Sequence, residues 1–333
     1  MTIKISKIKV ISREKILLTN WLRDIISNQR IMIVTDRRIP LNRKIVMRDI
    51  PSKGPSAVWN SVIQGLSSLN QHFTIYTKTD KVGVRVNKKS TRWVILNWTG
   101  NSETLIYFLS RINSPKVVLG PNINIDENLI SYLKNKKQFY SNFLTPSDFV
   151  SKNLVRETQS QVKIATWAAG VDYRLFTPGD IKKKFHVGVY VKGSLSNQDT
   201  THIKQLEEYF GQDLVLIEYG RYTPFDYILA LKKLKALFWF GGTESQGLAL
   251  LEAWSAGVPT IVRYRKSSVD LNHPSEIAFA PYNDENTGTF FEENESVDEI
   301  ITRYYSLPNL NPRQKILSEF TNELTTRKLL ELF

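Results

Sequence analysis

The stretch Ala236-Leu237-Phe238-Trp239-Phe240-Gly241-Gly242-Thr243-Glu244-Ser245-Gln246-Gly247-Leu248-Ala249-Leu250-Leu251-Glu252-Ala253-Trp254-Ser255-Ala256-Gly257-Val258-Pro259 sets the reading of the whole chain. Its first five residues are apolar at every position, the pattern of a strand covered by helices on both faces. Leu248 to Ala256 reads as a helix, stopped by Gly257 and by Pro259 two residues later. Strand, glycine-bearing loop and helix together are the unit of an open parallel sheet. In such sheets ligands bind at the carboxyl ends of strands, and the free N–H groups opening the next helix suit a diphosphate. Leu248, Ala249, Leu250, Leu251, Ala253 and Trp254 leave the helix apolar nearly all round, so it is expected to be buried. Glu252 then needs a partner. Paired ribose hydroxyls would satisfy one carboxylate with two hydrogen bonds; an internal salt bridge or a helix cap is the structural alternative.

Outward from this block, short apolar runs alternate with helical patterns, the signature of βαβ units. In the first half, strands are expected at Arg30 to Thr35, Phe73 to Thr77, Trp93 to Trp98, Lys116 to Leu119, Gln138 to Leu144 and Val162 to Trp167. Helices are expected at Ser56 to Leu69, Ser102 to Ile112 and Asp126 to Lys136, with Thr145-Pro146-Ser147-Asp148 as the capped start of another through Arg156. The pattern restarts with strands at His186 to Val191 and Leu214 to Tyr219 and helices near Thr201 to Phe210 and Pro224 to Lys235. Gly170 to Gly179, with Gly and Pro at its ends, reads as a linker. The division is therefore 1–172 for an N-terminal, acceptor-binding Rossmann-like domain and 173–333 for a C-terminal, nucleotide-sugar-binding one, the C-terminal helix being a candidate to pack back on the first.

At 333 residues the chain suits two domains of roughly 150 residues. It has no cysteine, which excludes disulfides, thiolate metal sites and a cysteine nucleophile, and fits a cytoplasmic address. Charges interrupt the N-terminal apolar residues every few positions, so residues 1–30 read as neither signal peptide nor membrane span. The net charge of +13 is unevenly spread. Residues 1–172 hold 27 Lys and Arg against 11 Asp and Glu, and residues 173–333 hold 18 against 21. Such a first domain attracts anionic partners, nucleic acid or a membrane surface among them, unless the charge is only solubilising. Arg37, Arg38, Arg43, Lys44 and Arg48 crowd one loop of it.

Glu244-Ser245-Gln246-Gly247 through Glu252-Ala253, with Ala256-Gly257-Val258-Pro259, resembles the E-x7-E signature of retaining GT-B glycosyltransferases of family 4. Ala169-Gly170-Val171-Asp172 with Phe176 and Pro178 resembles that family's N-G-V-D-x-x-x-F-x-P segment, Ala169 replacing asparagine. Thr145-Pro146-Ser147 resembles its serine-bearing turn, and Lys53-Gly54-Pro55-Ser56 its N-terminal glycine-rich loop. The resemblance implies an α/β fold of two Rossmann-like parallel-sheet domains facing a central cleft. It also implies a hexosyltransferase that uses a UDP- or GDP-sugar as substrate and has no further cofactor.

By this resemblance Glu252 would hold the ribose, and Glu244 would face the donor sugar or stabilise charge at the reacting centre. The N–H groups of Gln246, Gly247 and Leu248, beside Ser245, would cradle phosphate. Lys192, followed by Gly193, resembles the phosphate-binding lysine. Tyr219 and Arg221 are placed at the nucleotide pocket, and Gly54, Pro55 and Ser56 at the first-domain loop. Two family features are missing. No arginine precedes Lys192 by a few residues, a place Arg221 is a candidate to fill, and the first-domain loops Asn97-Trp98-Thr99-Gly100 and Gly120-Pro121-Asn122 carry no histidine. No D-x-D occurs, so a metal-bridged diphosphate is not expected. The implied reaction is metal-independent transfer with retention to a glycan or lipid-linked acceptor. A glucosyltransferase acting on a hydroxylated DNA base and a catalytically inactive GT-B binding protein are the alternatives.

Overall fold

The computed structural model describes residues 31–35, 54–77, 91–98, 101–112, 114–123, 125–136, 140–180, 186–265, 279–306 and 310–333. Arg37, Arg38, Arg43, Lys44 and Arg48 lie outside them. In chain order the strands of the first half are β1 (Ile31–Thr35), β2 (Phe73–Thr77), β3 (Arg92–Leu96), β4 (Val117–Leu119), β5 (Asn142–Thr145) and β6 (Ile164–Thr166). They form one sheet of order β2-β1-β3-β4-β5-β6, parallel throughout. The strands of β7 (His186–Val191), β8 (Leu214–Glu218), β9 (Leu234–Phe240), β10 (Thr260–Tyr264) and β11 (Gly288–Glu292) form a second parallel sheet of order β11-β10-β9-β7-β8. The molecule is thus two Rossmann-like parallel-sheet domains.

The sequence explains why both sheets are parallel and central. Ile31, Met32, Ile33 and Val34 are all buried, as are Ala236 to Phe240. Strands apolar at every position need cover on both faces, which crossover helices supply. In the first half these are α1 (Gly54–Ser68), α2 (Ser102–Ser110), α3 (Glu127–Asn135) and α4 (Asp148–Glu157). The second half has α5 (Asn197–Phe210), α6 (Pro224–Leu231), α7 (Leu248–Ser255), α8 (Val297–Ser306), α9 (Pro312–Lys315) and α10 (Asn322–Leu330). In α7, Leu250, Leu251 and Trp254 are fully buried, each worth about 1.5–3 kcal/mol of apolar transfer.

Several boundaries move from the sequence reading for local reasons. The helix expected near Thr201 starts at Asn197, because Ser196 and Asp199 form a reciprocal capping box. The helix expected to reach Lys235 stops at Leu231, and β9 already begins at Leu234, with exposed Lys235 between two buried residues. β6 has only three residues, and start signals after β11 went unread: Ser296 and Glu299 bond reciprocally at the start of α8, Asn311 precedes Pro312 at α9, and Thr321 caps α10.

The chain crosses between domains twice. Val171 N–H donates to Phe320 O at 2.8 Å at the first crossing, beside the second. Beyond it, α10 lies on α1. A Cβ on Gly65 of α1 would come within 1.9 Å of Thr326 Oγ1, so this close approach requires glycine. Leu329 joins the apolar cluster beneath β1 and β3, and Asn142 Nδ2 donates to Leu332 O at 2.8 Å. Among the described residues no helix is long and apolar enough to cross a membrane.

Candidate active site

In the second sheet the chain runs outward from β7 to β8, then returns to place β9 on the other side of β7. Strand order reverses between β7 and β9, and the crevice at their carboxyl ends is where open α/β sheets take ligands. Lys192 follows β7 and Glu244 follows β9, so the fold itself brings them together. Lys192 Nζ donates to Glu244 Oε1 at 2.7 Å and to Oε2 at 2.8 Å. Glu244 is buried, and burial raises its carboxyl above the usual range while the Lys192 ammonium opposes that shift. Lys192 also stands 5.1 Å from the centre of the Tyr219 ring.

Gly247 opens α7 in the left-handed region, at φ +76, and the helix runs back under the cleft. Its first N–H groups have no intrahelical acceptor, leaving a local positive end beside Lys192. One turn on, Glu252 is partly buried in the wall of the same cavity. Its carboxyl has no hydrogen-bond or ion-pair partner among the described residues. Desolvation pushes it up to about 8. Lying mid-helix, Glu252 is not a helix cap, and no described residue forms a salt bridge with it.

The cavity gathers Gly54 and Pro55 from the first domain with Lys192, Tyr219, Glu244, Ser245, Gln246, Gly247, Leu248 and Glu252 from the second. Three of the residues anticipated from sequence do not line it. Arg221 is exposed and donates to Glu218 Oε2 at 2.5 Å, so it does not fill the place of the missing arginine. Gly193 and Ser56 also lie outside the lining, Ser56 being exposed at the start of α1. The side chain of Gln246 makes a contact of its own. It donates to Ala169 O at 2.7 Å and accepts from Ala169 N–H at 3.2 Å, clamping the Glu244 loop to the interdomain segment.

Some lining groups went unread in the sequence. Tyr190, Tyr222 and Trp239 form an aromatic wall, with Tyr190 stacked on Trp239 at 4.0 Å and its hydroxyl 2.7 Å from that of Tyr222. They look like ordinary core aromatics in sequence, and only the topology turns them toward the cleft. On the first-domain side Ala57, Val58 and Pro146 join the loop residues Pro121 and Asn122 in the lining. Behind the Glu244 loop, buried Arg263 donates to Gly241 O at 3.0 Å and stands 3.0 Å from Asp199 Oδ1, itself buried in the capping box of α5. Among the described residues no group of three or more His, Asp or Glu is gathered as a metal site would need.

Two Rossmann-like domains facing a shared cavity define the GT-B fold, and comparison with solved structures agrees. A glycosyltransferase from Rickettsia africae superposes with a TM-score of 0.60 at 13% identity, covering 92% of this chain and 98% of that one. Sucrose-phosphate synthase from Thermosynechococcus elongatus gives 0.57 at 11% identity, covering 91% and 98%. Anabaena HepE, solved in complex with UDP, gives 0.53 at 10% identity over the same shares. No family model and no curated protein matches the sequence.

Proposed function

We propose that the chain is a glycosyltransferase that moves a sugar from a nucleotide-sugar donor to a hydroxyl acceptor. The observation carrying this reading is the partnerless carboxyl of Glu252 in the same cavity as Lys192, Glu244 and the start of α7. That combination matches one ligand chemistry. Ribose hydroxyls donate to Glu252, and the diphosphate lies against the Lys192 ammonium and the N–H groups of Gln246, Gly247 and Leu248. Negative charge grows on the diphosphate as the glycosidic bond breaks, so Lys192 and the helix end stabilise the transition state more than the bound donor. Glu244 faces the sugar side of the same site. The reaction proceeds with retention and without a metal or cofactor, as the resemblance to family 4 implies.

UDP is the first nucleotide to test, because HepE, of the same fold, was solved with it. The acceptor is a glycan or a lipid-linked saccharide at an anionic surface. Its support is the basic first half, where 27 Lys and Arg face 11 Asp and Glu, against 18 and 21 in the second half. Thermal unfolding with UDP-, GDP- and ADP-sugars tests the reading. One nucleotide should stabilise the protein by roughly 2.7 kcal/mol at a hundredfold excess over its dissociation constant. No stabilisation by any of them would overturn it, and loss of sugar transfer in EDTA would overturn the metal-free mechanism.

A further inference from the structure

The first-domain wall of the cavity is organised by one buried amide. Asn97, at the carboxyl end of β3, is 5% exposed and has a left-handed backbone at φ +53. Its Nδ2 donates to Pro55 O at 2.6 Å, at the start of α1, and its N–H donates to Pro121 O at 3.1 Å, in the loop after β4. Three segments therefore converge on Asn97. Its Oδ1 accepts from Asn122 Nδ2 at 2.8 Å.

These contacts fix which end of each amide points where. A carbonyl oxygen such as Pro55 O only accepts, so the Asn97 atom facing it is the NH2 group. The other end of Asn97 is then its oxygen, which only accepts, so Asn122 must turn its own NH2 toward Asn97. The orientation set by one backbone carbonyl thus passes through two side chains and leaves Oδ1 as the end of the Asn122 amide that Asn97 does not engage. Asn122 lines that cavity with Lys192, Glu244 and Glu252, and it holds a left-handed backbone at φ +62.

We infer that Asn122 reads a hydroxyl of the donor sugar, accepting a hydrogen bond through its side-chain oxygen, and that Asn97 is the positioning residue that holds it in this orientation. The inference rests on the reading of the cavity as a sugar-nucleotide site. An uncharged, acceptor-only group suits a sugar hydroxyl and repels a phosphate oxygen, which places Asn122 on the sugar and not the diphosphate. A site built to pair with a hydroxyl discriminates strongly against a ligand lacking it.

Glycine suits both left-handed positions, so Asn122→Gly and Asn97→Gly remove the amides without backbone strain. Calorimetry would compare UDP with whichever of UDP-glucose, UDP-galactose and UDP-N-acetylglucosamine binds the unmutated protein most tightly. UDP affinity should stay within about twofold in every variant, which also shows that each variant is folded. The ratio of UDP-sugar to UDP affinity should fall about tenfold in Asn122→Gly, the size of one well-made hydrogen bond. Asn97→Gly should lower the ratio less, and the loss in the double variant should fall well short of the sum of the two single losses, because Asn97 acts on the sugar through Asn122 while its bond to Pro55 O holds the wall. An unchanged ratio in Asn122→Gly, with UDP still bound, would overturn the inference and leave the proposed function standing. Additive losses in the double variant would overturn the positioning role of Asn97. If GDP or ADP proves to be the nucleotide bound, the same comparison is made with that nucleotide and its sugars; failure of the unmutated protein to bind any of the three nucleotides or their sugars would remove the donor reading and this inference with it.

Discussion

Lys192 gives its ammonium to both oxygens of Glu244, at 2.7 and 2.8 Å, across the point where strand order reverses between β7 and β9. An arriving diphosphate competes with Glu244 for that cation. Replacing Glu244 by glutamine removes the competitor, so Glu244→Gln should bind UDP several-fold more tightly while sugar transfer falls on the order of 10²-fold. Titration calorimetry alongside a transfer assay checks both halves. Weaker UDP binding would show that Glu244 prepares Lys192 for phosphate instead of competing for it.

Lys192→Ala should behave in the opposite sense. The charge that Lys192 meets is largest on the departing diphosphate, so turnover should drop more than donor affinity. A loss confined to the Michaelis constant would contradict a role in the transition state.

Glu252 makes stability depend on pH in a direction its burial dictates. Its carboxyl rises from 4.5 unfolded to about 8 folded. Within that window the folded protein holds a proton that the unfolded chain has released, so stability falls as pH rises, by up to about 1.4 kcal/mol per pH unit. Denaturant unfolding of the unliganded protein at pH 6 and pH 8 should show this loss, and Glu252→Gln should reduce it. Because ribose hydroxyls bond to the ionised form, UDP affinity should rise over the same range, which the glutamine variant should not reproduce.

The Arg263 and Asp199 pair supports the site from behind. Both side chains are buried, and Arg263 also holds Gly241 O, three residues before Glu244. Arg263→Met leaves the Asp199 carboxylate short of a buried partner, and about 3–5 kcal/mol of stability should be lost. The double variant with Asp199→Asn should recover part of that loss in chemical denaturation. Equal losses in the single and double variants would show that the pair is not coupled.

Legibility in the sequence followed the range of the interactions involved. The segment from Ala236 to Pro259 could be read because its strand, turn and helix signals are local, and the spacing of Glu244 and Glu252 is preserved on one short loop and helix. β10 and β11 were not read, because Thr260-Ile261-Val262-Arg263-Tyr264 is broken by a charge and Gly288-Thr289-Phe290-Phe291-Glu292 opens on glycine and closes on glutamate, so neither is an unbroken apolar run. Arg221 looked like a pocket cation from its place after β8, yet Glu218 three residues earlier captures it, a local pairing that a strand-end position does not reveal. Gln246 was read through its backbone N–H, whereas its side chain pairs with Ala169, 77 residues away. The amide relay from Pro55 through Asn97 to Asn122 spans three segments that only the folded sheet brings together.

The most direct test of the donor site is titration calorimetry of UDP against the unmutated protein and Glu252→Gln at pH 8. Glutamine keeps the shape of the side chain and loses its charge-assisted bonds to ribose, so affinity should fall by at least about tenfold with the fold intact. Equal affinity in the two proteins would take Glu252 out of the donor site and contradict the account built on it.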